Sequence, residues 1–383
     1  MSAGENPRAR RALGLMSGTS MDGVDAAILM TDGEAIAAFG PTLFRPYGTD
    51  ERVLLAAALD AAVGLADRST RPSALQAAEA AIESAHIAAV SDLLAEAGLA
   101  AEDIDVIGFH GHTVLHDAGR GLTVQIGKGS RIARETGIDT VWDMRAADIS
   151  AGGEGAPLAP VFHRALAEAS GIALPAAIVN IGGVANVTWL GADAAMLAFD
   201  CGPGNALIDD LARARAGSAL DEGGNLAARG RVDEAVLARL MAQPFFEVLP
   251  PKSLDRKSFS GEAVAGLGLE DAAATLTAFT AETIAAAARH MPAPPRLWIL
   301  SGGGARNPVL VAAIRARTGA PVKRAGEVGW SEDFIEAQAF AYLAVRSLRG
   351  LPLTFPGTTG APEPLTGGRL SRAGTVEPAQ GRS

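Results

Sequence analysis

The sequence predicts an α/β protein of two domains with mixed sheets. Three observations carry that reading. The chain has 383 residues, enough for two domains that each bury a core. Short apolar runs around polar turns alternate with Ala-rich helical stretches along its length. Finally, the pattern that opens the chain, two apolar runs joined by a glycine-containing turn, restarts at residue 176. The two copies share little sequence, so they form an architectural echo rather than a short-period repeat.

The elements follow in order. Residues 13–16 and 24–30 flank the turn Ser17-Gly18-Thr19-Ser20-Met21-Asp22-Gly23 and read as a hairpin. Helical stretches follow at 52–66 and 73–97. Residues 104–109 form a strand running into His110-Gly111-His112-Thr113, and 122–126 and 140–142 are further strands. The glycine-rich loop 152–157 feeds a helix over 160–169, where Pro160 suits the first turn. The second hairpin spans 176–180 and 185–190 around Ile181-Gly182-Gly183-Val184. After it, Phe199-Asp200-Cys201-Gly202-Pro203-Gly204-Asn205 leads into a helix at 205–215. Helices at 232–243 and 270–290, a strand at 297–300, the turn Ser301-Gly302-Gly303-Gly304, a helix opened by Asn307-Pro308 and a last helix at 332–349 complete the pattern. We place an N-terminal domain at 1–172, a C-terminal domain at 173–350 and a loop-rich tail at 351–383.

Composition excludes several classes. The net charge is −10 and no basic patch carries interleaved aromatics, so nucleic acid is not an expected partner. Cys201 is the single cysteine, which rules out an intrachain disulfide and a multi-cysteine metal site. The N-terminus lacks a signal-peptide core. The longest uncharged run, 169–192, is broken by Pro175, Asn180, Gly182, Gly183 and Asn186, which suits strands and a turn better than a membrane helix. A cytoplasmic location away from membranes is the expectation.

Three glycine-rich turns each follow a strand: 17–23, 181–187 and 301–308. Glycine lets backbone N–H groups approach an anion, and Ser or Thr hydroxyls add donors, so the set suits the phosphates of a nucleotide. Asp22 would hold Mg²⁺ through water. The third turn ends at a helix N-terminus, which favours the phosphate or ribose side. Tight turns without a ligand are the plain alternative for each.

These motifs, with residues 109–116, 123–127, 143–145, 152–160 and 199–205, resemble the anhydro-N-acetylmuramic acid kinase family collinearly over about residues 13–350. That family lies within the actin/hexokinase/acetate-kinase ATPase superfamily. The resemblance implies a duplicated actin/hexokinase-like fold with an interdomain cleft. It also implies ATP and Mg²⁺ as cofactors and a small sugar as substrate, and it leaves a homodimer open. The ATP-contacting set is Ser17, Gly18, Thr19, Ser20, Met21, Asp22, Gly23, Val24, Asp25, Gly182, Gly183, Asn186, Gly302, Gly303, Gly304 and Asn307. The family's His-Gly-Gln-Thr reads His110-Gly111-His112-Thr113 here, and its Gly-Gly-Gln-Gly carries Glu154 in the third place. The implied reaction opens 1,6-anhydro-N-acetylmuramic acid with water and phosphorylates its 6-oxygen, giving N-acetylmuramic acid 6-phosphate during cell-wall recycling.

Asp200, expected at a strand end, is the candidate base for that water, and the family's catalytic Asp falls on the same motif. Capping of the following helix is its alternative role. Asp143 and Arg145 alternate on a strand end and so share a face. Arg145 is a candidate clamp for the lactyl carboxylate or a hydroxyl, against a plain salt bridge. His110 and Thr113 are candidate sugar contacts, against a packed histidine. Glu336, on the last helix, is a further substrate contact, against a solvated role. Two other readings are a kinase of a different amino sugar and a non-catalytic sensing module on the same fold. A third is a metallohydrolase built on His110, His112 and His116.

Overall fold

The structure is a computed structural model that describes residues 8–18, 20–254 and 258–374. Thr19, one of the expected nucleotide contacts, lies outside the described residues. The chain forms two compact units. The first holds β1 (Arg10–Ser17), β2 (Gly23–Thr31), β3 (Ile36–Pro46), α1 (Thr49–Ala62), α2 (Ser73–Ala97), β4 (Val106–Asp117), β5 (Leu122–Ile126), α3 (Gly129–Thr136), β6 (Thr140–Trp142), α4 (Ala146–Ser150) and α5 (Pro160–Ala169). The second holds β7 (Ala176–Ile181), β8 (Val184–Leu190), β9 (Met196–Pro203), α6 (Ala206–Ala216), α7 (Glu234–Met241), α8 (Leu269–Ala286), β10 (Leu297–Ser301), α9 (Pro308–Arg317) and β11 (Val322–Arg324). The chain then returns to the first unit with α10 (Ile335–Leu348), α11 (Pro356–Thr359) and β12 (Arg369–Ser371).

The first sheet runs β12-β6-β4-β1-β2-β3, with β5 paired to β4; the second runs β11-β10-β7-β8-β9. In each, three strands form an antiparallel meander, and two parallel strands extend the sheet beyond its first strand. The same order occurs twice, which is the duplicated actin/hexokinase-like α/β architecture expected from the sequence. Both hairpins, α2 and α5 lie where the apolar periodicity predicts.

Three expectations change. The break after Ala169 falls close to the expected 172, but the last helix and the tail pack with the first unit rather than forming part of the C-terminal domain and a loose end. The reason is steric. Gly14 and Gly108 are register partners on β1 and β4. A Cβ on Gly14 would lie 1.7 Å from the Ala337 carbonyl oxygen, and one on Gly108 would lie 1.9 Å from that of Phe340. The two glycines open a groove in which the α10 backbone rests. The tail then adds β12 antiparallel to β6. Second, β3 was not anticipated. Third, β4 carries on through His112 and His116, past the strand end expected at 109. Across the first sheet, Leu13, Leu15, Val24 and Ile28 pack with Leu55, Ile82 and Leu93 of α1 and α2.

Candidate active site

In the first unit the turn after β1 is built around Tyr47. Its hydroxyl is 2.7 Å from Ser17 Oγ, and its backbone N–H donates to the Asp22 carbonyl at 2.9 Å. Ser17 Oγ also meets His112 Nδ1 at 2.9 Å. Ser17, Tyr47 and His112 are all buried. The Ser17 hydroxyl is therefore engaged within the protein, and the expected role as a phosphate donor does not fit its side chain. Val24 likewise points into the core and offers a ligand only its backbone. Burial pushes the His112 pKa down to about 4, which keeps the ring neutral. Within the turn, Met21 takes the left-handed conformation (φ 54°) and its N–H donates to the Gly18 carbonyl. Ser20 Oγ donates to Asp22 Oδ1 at 2.7 Å, and the Gly23 N–H donates to the same oxygen at 3.0 Å. Gly18 is open: a Cβ there would meet only Ser20 Oγ, at 3.7 Å.

Asp25 lies three residues into β2, and its carboxyl pKa rises to about 7. Burial is the main cause, followed by the charges of Asp22 and Glu336. Glu336, in the first turn of α10, is also pushed up, by desolvation first, with Arg145 opposing the shift. Its side chain is solvent-accessible, so it is a recessed rather than a sealed carboxyl. Asp22, Asp25, Glu336 and Arg145 therefore feel one another, a convergence the sequence order did not suggest.

His110 Nε2 receives Arg145 Nη2 at 3.0 Å and Nε at 3.3 Å. A guanidinium cannot accept a hydrogen bond, so Nε2 is bare and the proton sits on Nδ1. Burial, with Arg145 second, holds His110 well below its ordinary pKa. Arg145 Nη1 donates to the Gly155 carbonyl at 2.8 Å. Asp143 does not share a strand face with Arg145, as the sequence suggested. β6 ends at Trp142, Asp143 turns the chain at φ 57°, and Arg145 already has helical geometry ahead of α4. Asp143 pairs instead with Arg68. Thr113 Oγ1 accepts from Gln125 Nε2 at 3.2 Å. The three histidines do not converge. Gly111 (φ 75°) bulges β4 between His110, which packs on Phe340, and His112, which faces Ser17; His116 meets Thr123. Among the described residues no cluster of three or more His, Cys, Asp or Glu could hold a metal ion. A magnesium ion thus fits only through waters and a nucleotide's own oxygens, with the exposed Asp22 as the nearby carboxylate.

In the second unit, β9 runs on to Pro203, so Asp200 lies inside the strand rather than at its end. The cap of α6 is at Asn205, so Asp200 does not cap that helix. The register sets Asn180, Asn186 and Asp200 side by side across three strands, on one face. The segment 252–254 fixes the acid: the Asp200 N–H donates to the Lys252 carbonyl at 3.0 Å, and the Leu254 N–H donates to Asp200 Oδ2 at 2.7 Å. Lys252 is itself buried, with Nζ donating to the Phe245 carbonyl and lying 4.5 Å from the Phe245 ring centroid. The Gly182 and Gly183 carbonyls accept N–H groups from Gly204, Asn205 and Ala206, which ties the hairpin tip to the start of α6. The third turn is more crowded than a phosphate cradle needs. Gly302 sits at φ 76°, and a Cβ on Gly304 would lie 2.3 Å from Ile181 Cγ2. Gly303 is the open position. Asn307 Oδ1 accepts from the Val309 and Leu310 N–H groups and so caps α9.

No helix among the described residues is long and apolar enough to cross a membrane. The family model of anhydro-N-acetylmuramic acid kinase matches residues 10–372. A protein of that name from Methylobacterium nodulans is 53% identical over 372 residues, covering 94% of this chain and 100% of its own. Proteins of the same name from Azorhizobium caulinodans and Nitrobacter winogradskyi are 54% and 51% identical, each covering 94% of this chain and 98% and 99% of their own. The duplicated fold, the acid held inside β9 and these full-length matches agree: the chain belongs to the anhydro-N-acetylmuramic acid kinase family.

Proposed function

We propose that this chain uses water and Mg-ATP to convert 1,6-anhydro-N-acetylmuramic acid to N-acetylmuramic acid 6-phosphate, a step that returns a cell-wall sugar to metabolism. The observation that carries the mechanism is Asp200, a carboxylate inside a strand, in register with Asn186 and fixed by the Leu254 N–H. The backbone N–H orients one oxygen of this base. It takes a proton from a water whose oxygen attacks the anomeric carbon. The bond from that carbon to the 6-oxygen breaks, and the 6-oxygen takes the γ-phosphoryl as ADP leaves. The proton ends on Asp200 and passes to solvent. A positioned base contributes about 10²–10⁴-fold.

The other groups take supporting roles in this reading. Magnesium, when bound, offsets charge on the phosphoryl oxygens. The open backbone at Gly18, Gly182 and Gly303 would face the nucleotide, with the amide of Asn186 beside it. The neutral His110 and the cationic Arg145, held in one pair, would contact the sugar, with Glu336 recessed nearby.

Turnover in ¹⁸O-water tests the bond order. One heavy oxygen is expected at the anomeric position of the product, read by mass spectrometry before exchange with solvent. Label in the phosphate instead would separate ATP hydrolysis from transfer and overturn the mechanism. No product from this sugar with Mg-ATP would overturn the substrate, and a different amino sugar would then be the acceptor to seek.

A further inference from the structure

The proposed substrate carries a carboxylate on its lactyl arm, and the side-on edge of Arg145 is already engaged within the protein. The edge of a guanidinium that binds a carboxylate in pairs is formed by Nε and one Nη. In Arg145 that edge faces His110, and Nη1 is on the Gly155 carbonyl. Cationic groups without such contacts lie beside it.

A cavity of about 410 Å³ opens beside His110, at the ends of β4 and β6. This falls in the range of roughly 300–1,000 Å³ usual for small-molecule sites. Two cation–anion pairs on its wall cancel: Arg68 with Asp143 and Arg71 with Glu79. Two further cations do not. Lys128 and Arg369 line the cavity, and neither side chain has a carboxylate partner among the described residues. Arg369 lies over the Trp142 ring, 5.0 Å from its centroid, a cation–π contact that helps to place its charge. The wall thus carries two uncompensated positive charges in a chain of net charge −10. Two lining side chains also have buried polar atoms without partners: the Nδ1–H donor of His110 and the Oε1 acceptor of Gln125. His110 is 7% exposed.

We propose that this cavity is the subsite for the acidic arm of the sugar, with Lys128 and Arg369 receiving its carboxylate. This rests on the substrate reading above and adds the residues that select an acidic sugar over a neutral one.

Calorimetry with 1,6-anhydro-N-acetylmuramic acid and its methyl ester tests it. The parent protein should bind the acid on the order of 10-fold more tightly than the ester, the value of one charge-assisted contact. The double variant K128Q/R369Q should bind both alike, and K128E/R369E should prefer the ester. Unchanged melting temperature and ATP affinity in these surface variants would show that the fold is intact. If K128Q/R369Q keeps the preference, the assignment of these two cations is wrong. Equal binding of acid and ester by the parent also overturns it, while the kinase reading stands. Binding of neither by the parent overturns the substrate itself.

Discussion

The two sheets present the same register position twice and fill it differently. Across the first sheet, Met16, Asp25 and Phe44 are aligned partners on β1, β2 and β3. Across the second, the equivalent row on β7, β8 and β9 is Asn180, Asn186 and Asp200. Asp25 and Asn186 are each the third residue of their strand. One row thus has its carboxyl in the middle, half-buried near other acids and raised in pKa. The other has amides on its first two strands and its carboxylate on the outer strand, where unit 1 has the exposed Phe44. The turns differ as well. The first is long and held by Tyr47, whereas the second is a Gly-Gly link whose carbonyls bind the start of α6. A duplicated frame supplies positions; the chemistry depends on which copy receives an acid, an amide or an open glycine.

The largest expected effect comes from making the outer position of the second row neutral. Asp200→Asn keeps the shape and the Leu254 contact but removes the base. Turnover should fall at least ~10²-fold with ATP affinity retained. Near-normal turnover would place the base elsewhere and dissolve the contrast between the rows.

The same substitution in two glycine turns should next give opposite signatures. Gly18→Val meets open space, and Gly18 needs no left-handed backbone, so the fold should be intact. If nucleotide phosphates approach there, ATP affinity should drop about 10-fold or more by calorimetry. Gly304→Val drives its Cβ into Ile181 and should destabilise the protein by about 1–3 kcal/mol in thermal or urea unfolding. A stable Gly18→Val protein with normal ATP affinity would reduce the first turn to a connector.

These contrasts were only partly legible in the sequence. Apolar alternation and glycine turns gave both hairpins, and the motif at 199–205 gave Asp200. What stayed hidden depends on contacts distant in sequence. Gly14 and Gly108 read as ordinary strand glycines until α10 lies on them. β3 has alternating burial too irregular to announce a strand. Tyr47 carries no motif, yet it closes the first turn. Asp143 and Arg145 have the spacing of one strand face, but the left-handed Asp143 turns the chain between them. Lys252 could have been flagged, since a lysine in a short apolar and proline-rich stretch is a candidate for burial, but its grip on the Asp200 strand needs the fold.

A third test converts the first row toward the second. Asp25 has an ordinary pKa of 3.8, raised to about 7 in the folded chain. The folded state therefore holds a proton that the unfolded state has lost, and stability should fall as pH rises from about 4 to about 7, then level off. Asp25→Asn should flatten that part of the profile, so the variant gains on the parent as pH rises. Allowing for partial exposure, the gain should be about 1–2 kcal/mol at pH 8. Melting temperatures at pH 5 and pH 8 check it. An equal difference at both pH values would mean that Asp25 is ionised throughout.

The smallest expected effect concerns the clamp that only the first turn has. Tyr47 holds both ends of that turn, through its hydroxyl to Ser17 and its N–H to Asp22. Tyr47→Phe removes the first contact and leaves the second, since the backbone is unchanged. A buried hydroxyl pair of this kind is worth about 1 kcal/mol. Ser17→Ala breaks the same contact from the other side and also leaves His112 Nδ1 without its partner. If the hydroxyl pair acts as one unit, the two changes should not add, and the double variant should lose about 1 kcal/mol less stability than the sum of the single losses. ATP affinity should follow the same pattern, falling a few-fold in each single variant and little further in the double. Additive losses in stability with ATP affinity untouched would show that Tyr47 merely fills space beneath the turn, and that the first turn keeps its shape, as the second does, through its backbone alone.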